Sequence, residues 1–430
     1  MGGRALLLVV MGFSLIMMVA DKNMNFSSTR TVDNMANYYL DMNVHNVAVS
    51  GANMGANQIF LDPAWTAGLH DIPFDDGTID VSVDILDAAK NIRRITSIGT
   101  YKDISDTVLV TLQPSKFSKF AYYSVSEGGT IYWTTGDTVW GPIHTQDYLN
   151  VSGTPVFMGK TTTKLGLKSQ NGYWQYSGYG WHRTKVWVST DTPQFVGGFE
   201  SGVDKPLPSA SVTNVQADAL SGGYNFTGHD TVYVTFKDDS ISYKYSYNST
   251  PTTVMGSSLA PNGVIFATGA TLRLQGTVSG RYTVGASSVT TTSGWHTTTT
   301  GGDVYLDNDI VYKTDPQTNP NSTDMLGIVS QQNVLITNNT ANNSDINIDA
   351  SIFCQDGGFG SEDYSTRPPS GNINLLGGVQ QNTRQAVGTF NSSGISSGFN
   401  KLYKYDKRLL YSSPPSYPNT GSFEIVSWYE

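Results

Sequence analysis

Residues 5–20 read ALLLVVMGFSLIMMVA, an uncharged apolar run directly after Arg4. As an α-helix this run would be about 24 Å long, because each residue adds about 1.5 Å. That length is slightly short of the roughly 30 Å hydrocarbon core of a bilayer. Three interpretations compete: a cleaved secretory signal, a membrane anchor, and an assembly helix that packs against helices of other subunits.

The residues that follow decide between these interpretations. A cleaved signal ends in small residues of the A-x-A kind, whereas this run closes with Met18-Val19-Ala20 and continues into charged residues. No proline occurs before Pro63, so no helix breaker interrupts the segment. Residues 1–62 are therefore predicted to form one helix, first hydrophobic and then amphipathic. The residues that recur at helical spacing are Val32, Met35, Ala36, Tyr39, Val47, Ala48, Gly51, Ala52, Gly55, Ala56 and Ile59.

The two halves of such a helix must be buried differently. We expect the first half to pack in lipid or among other helices, and the second half to lie on a globular domain. The assembly residues of the first half are Leu6, Leu7, Leu8, Val9, Val10, Met11, Phe13, Leu15, Ile16, Met17 and Val19. In the second half, small residues allow close approach of a second helix or, equally, of the chain's own β domain. They are Gly51, Ala52, Gly55 and Ala56.

The rest of the chain has the patterns of a mainly β protein. Alternating apolar and polar residues at 79–85 and 108–112 predict a small antiparallel sheet within residues 63–119, packed on the amphipathic half of the helix. From residue 120 to 400, short β runs recur roughly every 8 to 12 residues, which fits a sandwich, a barrel or a β-solenoid. We favour a β-solenoid, specifically a right-handed parallel β-helix, with Asn-rich corners such as residues 337–340. Residues 401–430 are predicted to form a C-terminal capping or docking segment.

Composition excludes some function classes. Only 14% of the 430 residues are charged, the net charge is -9, and no basic stripe occurs, so nucleic acid is not an expected partner. The single cysteine, Cys354, lies in an apolar strand-like run and reads as a small buried hydrophobe.

Paired carboxylates are the first enzyme signal to test in a β-helix, because many polysaccharide-cleaving enzymes depend on them. The candidates are Asp303, Asp307, Asp309, Asp345, Asp349 and Asp356. Residues 307–309 read Asp-Asn-Asp, which favours a turn between strands over a glycosidase or Ca²⁺ site. No calcium-loop, nucleophile-elbow or nucleotide-binding spacing occurs. We therefore expect no catalytic residue and no cofactor.

The histidines have no metal-binding spacing, and no metal site is expected. They are His45, His70, His144, His182, His229 and His296. Aromatic residues cluster between Tyr173 and Trp187, where a sugar-binding platform competes with contacts between coils or subunits. The cluster comprises Tyr173, Trp174, Tyr176, Tyr179, Trp181 and Trp187. Candidate glycosylation sites are Asn225, Asn321 and Asn342.

The N-terminal segment resembles the helix of type IV pilin-like proteins, including the minor-pilin branch with a small, Ala-rich second half. The chain as a whole resembles an uncharacterised bacterial family of pilin-like proteins with a β-helical body. The stretches that carry this resemblance are residues 132–145, 272–284, 309–312, 326–330 and 405–410, with Trp428. One departure is that pilins usually have Glu at the fifth mature position, whereas cleavage after Gly3 would place Leu8 there.

The resemblance implies a non-enzymatic structural subunit of an extracellular pilus-like filament, with a scaffolding or adhesion role. Its implied partners are identical subunits, the pilus assembly machinery and surface glycans, and its implied location is the bacterial surface, with an inner-membrane pool before assembly. A minor or tip adhesin that binds surface glycans is the first alternative. An anchored β-helix carbohydrate-active enzyme is the second.

Overall fold

The structure, a computed structural model, describes residues 2–88, 91–178, 183–208, 211–391 and 394–430. The chain divides into two compact units. The first unit consists of Met1–Ser115 with Gly421–Glu430, and the second consists of Lys116–Thr420. We call the second unit the body. The end of the chain therefore belongs to the same unit as its beginning.

The first unit begins with one uninterrupted helix, α1 (Gly2–Leu61). It ends just before Pro63, which lacks the amide hydrogen that a continuing helix would need. Four strands follow, and the last strand of the chain completes the sheet in the order β1-β2-β3-β4-β33. The strands are β1 (Leu69–Phe74), β2 (Gly77–Asp87), β3 (Ile92–Tyr101), β4 (Ile104–Lys116) and β33 (Asn419–Tyr429). The predicted long helix and the small antiparallel sheet are confirmed.

The C-terminal part of α1 packs on this sheet. Apolar side chains of β2, β3 and β4 form the core with one face of the helix. Its buried members are Val47, Ala48, Ala52, Ile59, Ile79, Val81, Ile95, Val108, Val110 and Leu112. Gly99 lets helix and strand approach closely, because a Cβ there would collide with the backbone nitrogen of Ala48. Ser97 Oγ donates a 2.7 Å hydrogen bond to the Ala48 carbonyl at the same crossing.

The described residues of the body form short strands, two helices, and 3₁₀ turns at Phe117–Lys119 and Lys407–Leu410. Its first part contains β5 (Tyr122–Ser126), β6 (Trp133–Thr134), β7 (Thr138–Trp140), β8 (Ile143–Thr145), β9 (Tyr148–Ser152), β10 (Val156–Phe157), β11 (Thr161–Thr163), β12 (Gly166–Ser169), β13 (Gly172–Ser177), β14 (Thr184–Ser189), β15 (Gln194–Phe195), β16 (Phe199–Ser201) and the helix α2 (Ser211–Gly222). Its second part contains β17 (Tyr224–Phe226), β18 (Thr231–Asp238), β19 (Ser240–Lys244), β20 (Thr252–Met255), the helix α3 (Gly256–Leu259), β21 (Val264–Thr268), β22 (Thr271–Val278), β23 (Arg281–Ser293), β24 (His296–Gly301), β25 (Val304–Tyr312), β26 (Met325–Ser330), β27 (Val334–Ile336), β28 (Ile346–Cys354), β29 (Phe359–Ser361), β30 (Pro369–Thr383), β31 (Gly388–Asn391) and β32 (Gly394–Lys404).

Two series of parallel pairings run through the body. One joins β17, β21, β23, β26, β28, β30, β5, β8, β11 and β16 in that order. The other joins β18, β22, β25, β28, β30, β32, β7, β10 and β15. Antiparallel hairpins such as β18–β19 and β23–β24 make the large sheet mixed, and no pairing among the described strands closes it. The mainly β class is confirmed, whereas the right-handed parallel β-helix stays a prediction.

The order of the strands in these series differs from their order in the chain. β5, the first strand of the body, pairs with β30 on one side and β8 on the other. The chain therefore enters the series in its middle, builds outward as far as β16, and restarts at the opposite end with β17. Residues 202–208 and 211–222 lie along this crossing. Hydrogen bonds attach the crossing to strands on its way, including Tyr123 Oη to the Lys205 carbonyl and Gln355 Nε2 to the Pro208 carbonyl.

The crossing contains α2, a helix that the sequence analysis did not predict. Val212, Val215 and Ala219 are buried on one face against strands of the body. Their spacing of three and four residues is helical, but many of the other residues in the segment are Ser, Thr, Asn and Gly, which have low helix propensity. Packing on the body stabilises the helix where local propensity does not.

Candidate assembly surface

The side chains of the N-terminal part of α1 are not buried by any other described part of the chain. Between Gly3 and Asn43, no side chain that the structure describes is buried. The assembly residues predicted from Leu6 to Val19 are 57% to 71% exposed. One helix in the described structure, Gly3–Leu61, is long and apolar enough to cross a membrane.

A second set of exposed apolar residues continues beyond the apolar run. Its members are Met24, Val32, Met35, Tyr39 and Met42, which we call the apolar stripe, and their exposure ranges from 46% to 73%. At about 100° per residue, these five positions fall within about 80° of one another around the helix axis. The stripe is continuous from Val32 to Met42, and Met24 lies about 12 Å further along the same side, beyond Ser28.

The apolar stripe faces away from the chain's own sheet. On the same projection, the residues that contact the sheet, from Val44 to Ile59, are centred about 180° away from the stripe. The side of residues 21–43 that continues this sheet-contacting face carries Arg30, Asp33, Asn37 and Asp41, together with one exposed aromatic ring, that of Phe26. The C-terminal part of helix α1 thus packs on the chain's own sheet. The apolar stripe in the middle of the helix lies on the opposite side and contacts nothing in the described structure.

The four small residues predicted for close helix packing contact the chain's own sheet. A Cβ at Gly51 would collide with Ser97 Oγ and approach Ile79 Cγ2 to 2.6 Å. At Gly55 a Cβ would lie 2.9 Å from Val81 Cγ1. Ala52 is buried and Ala56 is half-buried. The glycines therefore seat α1 on β2 and β3, and contact of these residues with a second helix stays a prediction.

Four of the six aspartates considered as catalytic candidates, Asp303, Asp307, Asp309 and Asp345, accept hydrogen bonds from neighbouring segments of the body. Asp307 accepts two hydrogen bonds from Arg273, from Nε at 3.0 Å and from Nη2 at 2.6 Å. Asp303, Asp309 and Asp345 each accept from both the backbone and the side-chain amide of an asparagine on a neighbouring segment. The predicted turn at residues 307–309 is instead an irregularity inside β25, where the register with β22 shifts.

Asp349 differs from these aspartates because it is largely desolvated. Its Oδ2 accepts a 2.8 Å hydrogen bond from the backbone nitrogen of Tyr312. Burial raises the pKa of its carboxyl to about 6, and the nearby charges of Asp315 and Asp406 act in the same direction.

Histidine and cysteine form no site in the described ranges, where no group of three His, Cys, Asp or Glu side chains could hold a metal ion. Burial lowers the pKa of His144 to about 4, with a further contribution from Lys205. Cys354 is buried, and burial raises the pKa of its thiol. His182 lies outside the described residues.

The predicted aromatic cluster forms part of the hairpin β13–β14. Trp174 pairs with Trp187 across the two strands, with ring centroids 5.2 Å apart, and Tyr176 pairs with Lys185 on the same face. Trp174 is 56% exposed and Tyr176 is 60% exposed. Lys185 lies over the Trp174 ring at 5.0 Å. The hairpin thus presents an exposed aromatic face with cations at its margin, while Tyr179 and Trp181 lie outside the described residues.

The three candidate glycosylation sites differ in accessibility. Asn321 is exposed and Asn225 is half-buried, with its Oδ1 accepting from Thr268. Asn342 is buried, and its side-chain nitrogen donates to the carbonyls of Leu306 and Thr337. Because both amide hydrogens are engaged, the folded chain leaves no room for a sugar on Asn342.

One feature of the body was not identified from the sequence as a site. A cleft of about 630 Å³ lies between the end of β7, residues 316–320 and residues 404–408. Leu376 also lines it, so its residues come from four separate parts of the chain, and their proximity has no sequence signal.

Comparison with known proteins identifies no family for this chain and finds a similar solved structure. No protein-family model matches the chain, and no curated protein matches it. Among solved structures, the chain is similar to the competence-associated pilin ComZ from Thermus thermophilus, with 11% sequence identity over 85% of this chain and 86% of that chain and a TM-score of 0.36. A similarity of this level carries no conclusion about function.

Proposed function

We propose that this chain is a structural subunit of an extracellular pilus-like filament that polymerises through α1. The observation that carries the proposal is the uncovered apolar surface of residues 3–43. Twelve large apolar side chains between Leu6 and Val19 are exposed. Their burial at roughly 2 kcal/mol each would supply on the order of 20 kcal/mol, as an upper bound. Such a surface requires lipid or other helices around it.

The apolar stripe favours a filament over a simple membrane anchor. An anchor needs an apolar surface only where lipid surrounds it, and the run at residues 5–20 would supply about 24 Å of the roughly 30 Å needed. Residues 24–42 extend the helix by about 27 Å beyond the run at 1.5 Å per residue. An apolar stripe along this extension, on the side away from the sheet, suits contact with α1 of neighbouring subunits.

The proposal includes a location and partners. Before assembly, residues 5–20 would hold the subunit in the inner membrane, and afterwards the same residues would lie in the filament core among copies of α1. Polymerisation then requires an assembly machinery that extracts the helix from lipid. The bodies would coat the filament as a helical array. We propose no catalytic activity, since five of the six candidate carboxylates, those other than Asp356, accept hydrogen bonds within the body.

Cryo-electron microscopy of material sheared from producing cells tests this proposal, combined with two matched variants. Met35→Asp places a charge on the apolar stripe, and Asn37→Asp places the same charge on the polar side of the same turn. Both positions are exposed in the subunit, so neither variant should alter its folding. We expect Met35→Asp to abolish filaments or reduce them at least tenfold, and Asn37→Asp to assemble normally. Normal filaments from both variants, or a protein that stays in the membrane when filaments form, would overturn the proposal.

A second candidate function is a minor or tip adhesin, which the exposed aromatic face of β13–β14 favours. Trp174 and Trp187 would stack against sugar rings of a surface glycan. The test is the copy number of this chain in purified filaments, together with glycan-array binding of Trp174→Ala. One copy at the filament end, with glycan binding lost in the variant, would favour the adhesin over the major subunit.

A further inference from the structure

The cleft of about 630 Å³ in the body has the size of a small-molecule site, because ligand pockets commonly have volumes of roughly 300–1,000 Å³. Its walls combine Trp140 with Pro316, Pro320 and the aliphatic side chain of Leu376. Trp140 is 37% exposed, so part of its ring is open to a ligand. These four wall residues are apolar, and one of them is aromatic.

Positive charge lies at the margin of these walls. Lys404 and Lys407 line the cleft and are exposed, and neither has a hydrogen-bond or ion-pair partner among the described residues. Arg408 is held in place, because Asp406 accepts from its Nη2 at 2.6 Å and the Ser322 carbonyl accepts from its Nη1 at 2.8 Å.

The charge balance favours an anionic ligand. Among the side chains that line the cleft, Asp406 offsets one of the three cations, so the lining itself has an excess of two positive charges, and the carboxylates of Asp315 and Asp324 lie outside the lining. This excess occurs in a chain whose net charge is -9. A local positive potential that opposes the sign of the whole molecule selects ligands by their charge.

An extended peptide could not bind in this cleft by adding a strand to β7 or β32. β7 pairs with β32 on one side and β10 on the other, and β32 pairs with β30 as well as β7. A peptide that binds by strand addition needs an unpaired strand edge, which β7 and β32 lack. Recognition therefore has to come from side chains, namely an aromatic ring and cations.

We propose that this cleft binds an acidic saccharide. One face of a sugar ring would stack on Trp140, where polarised C–H groups meet the negative face of the indole. A carboxylate of the sugar would pair with Lys404 and Lys407. A uronic-acid unit has both features in one residue. The site is independent of α1, so the proposal stands or fails separately from polymerisation.

Isothermal titration of the purified full-length protein, in filaments or in detergent, tests the proposal with two probes. Trigalacturonate supplies rings and carboxylates, and maltotriose supplies rings without charge. We expect saturable binding of trigalacturonate with one site per chain, weakened by added salt, and at least tenfold weaker binding of maltotriose. Absence of saturable trigalacturonate binding, or equal binding of the two sugars, would overturn the proposal.

Variants connect the binding to the cleft. Lys404→Ala with Lys407→Ala is expected to weaken trigalacturonate binding at least tenfold, and both positions are exposed, so folding should be unaffected. The matched control, Lys168→Ala with Lys237→Ala, removes two exposed lysines that do not line the cleft and should bind like the parent. Trp140→Ala should lose binding and Trp140→Phe should restore part of it. Equal losses in the cleft and control pairs would refute the site, and hexaglutamate binding as tight as that of trigalacturonate would refute the saccharide.

Discussion

At the residue scale, the most informative side chain of the body is Asp349. Its raised pKa, about 6, means that the folded state holds the proton more tightly than the unfolded chain does. The charged form therefore costs stability above about pH 6, and this cost disappears once both states are protonated, below the unfolded value of 3.8. From the difference between these values, the cost near neutral pH is at most about 3 kcal/mol.

Asp349→Asn should therefore stabilise the protein in a pH-dependent way. The amide oxygen of Asn can still accept from the Tyr312 nitrogen, while the buried charge is gone. We expect a higher thermal unfolding temperature than the parent near pH 7 and no difference close to pH 3, where the carboxyl is protonated in both states. Asp345→Asn, at an exposed position in the same region, should give no such gain. An equal gain at both pH values would contradict a charge effect.

At the element scale, the contact between α1 and its sheet depends on glycines, which have no Cβ to separate the helix from the strands. Gly51→Ala adds a Cβ that meets Ser97 and Ile79, so overpacking should cost about 1–3 kcal/mol. Gly12→Ala lies on the uncovered part of the same helix, where a Cβ has no neighbour within 4 Å. There the gain in helix propensity of roughly 0.5–1 kcal/mol is the only effect.

Thermal unfolding of the full-length protein in detergent compares the two glycine variants. Gly51→Ala should unfold at a lower temperature than the parent, and Gly12→Ala at the same or a higher temperature. If Gly51→Ala is as stable as Gly12→Ala, the close packing of α1 on β2 and β3 is incorrect.

At the scale of the whole molecule, the body is held together where distant parts of the chain meet. The pairings β5–β30 and β7–β32 join strands that are far apart in the sequence. Two ion pairs lie near these pairings. Glu127 and Arg384 are buried with Oε2 and Nη1 2.8 Å apart, and Lys401 Nζ lies 3.3 Å from Asp137 Oδ2. A buried ion pair also disfavours other pairings, because any of them would leave a charge unpaired.

Glu127→Gln should be strongly destabilising, because it leaves Arg384 buried without its counter-charge. We expect a loss of about 3–5 kcal/mol in the free energy of unfolding, measured with urea and circular dichroism. The double variant Glu127→Gln with Arg384→Met should recover part of this loss. The exposed pair of Lys160 and Glu200 provides the control, and Glu200→Gln should cause no measurable change. Similar effects of the two Glu→Gln variants would contradict the role of burial.

The sequence by itself determined the features that depend on neighbours along the chain. An apolar run and helical spacing without proline predicted α1, and period-two alternation predicted the strands that became β2 and β4. These signals are local, because a helix or strand exposes one face at a fixed period. The exposed assembly residues could be predicted for the same reason.

Only the tertiary structure decided what depends on contacts between distant residues. It resolved that Gly51 and Gly55 seat α1 on its own sheet, that α2 is a helix because the body covers one of its faces, and that β5 lies between β30 and β8. It also brought Trp140, Lys404 and Lys407 to one cleft. None of these has a local signal, because packing and burial, rather than the propensity of the segment itself, provide the stabilising free energy.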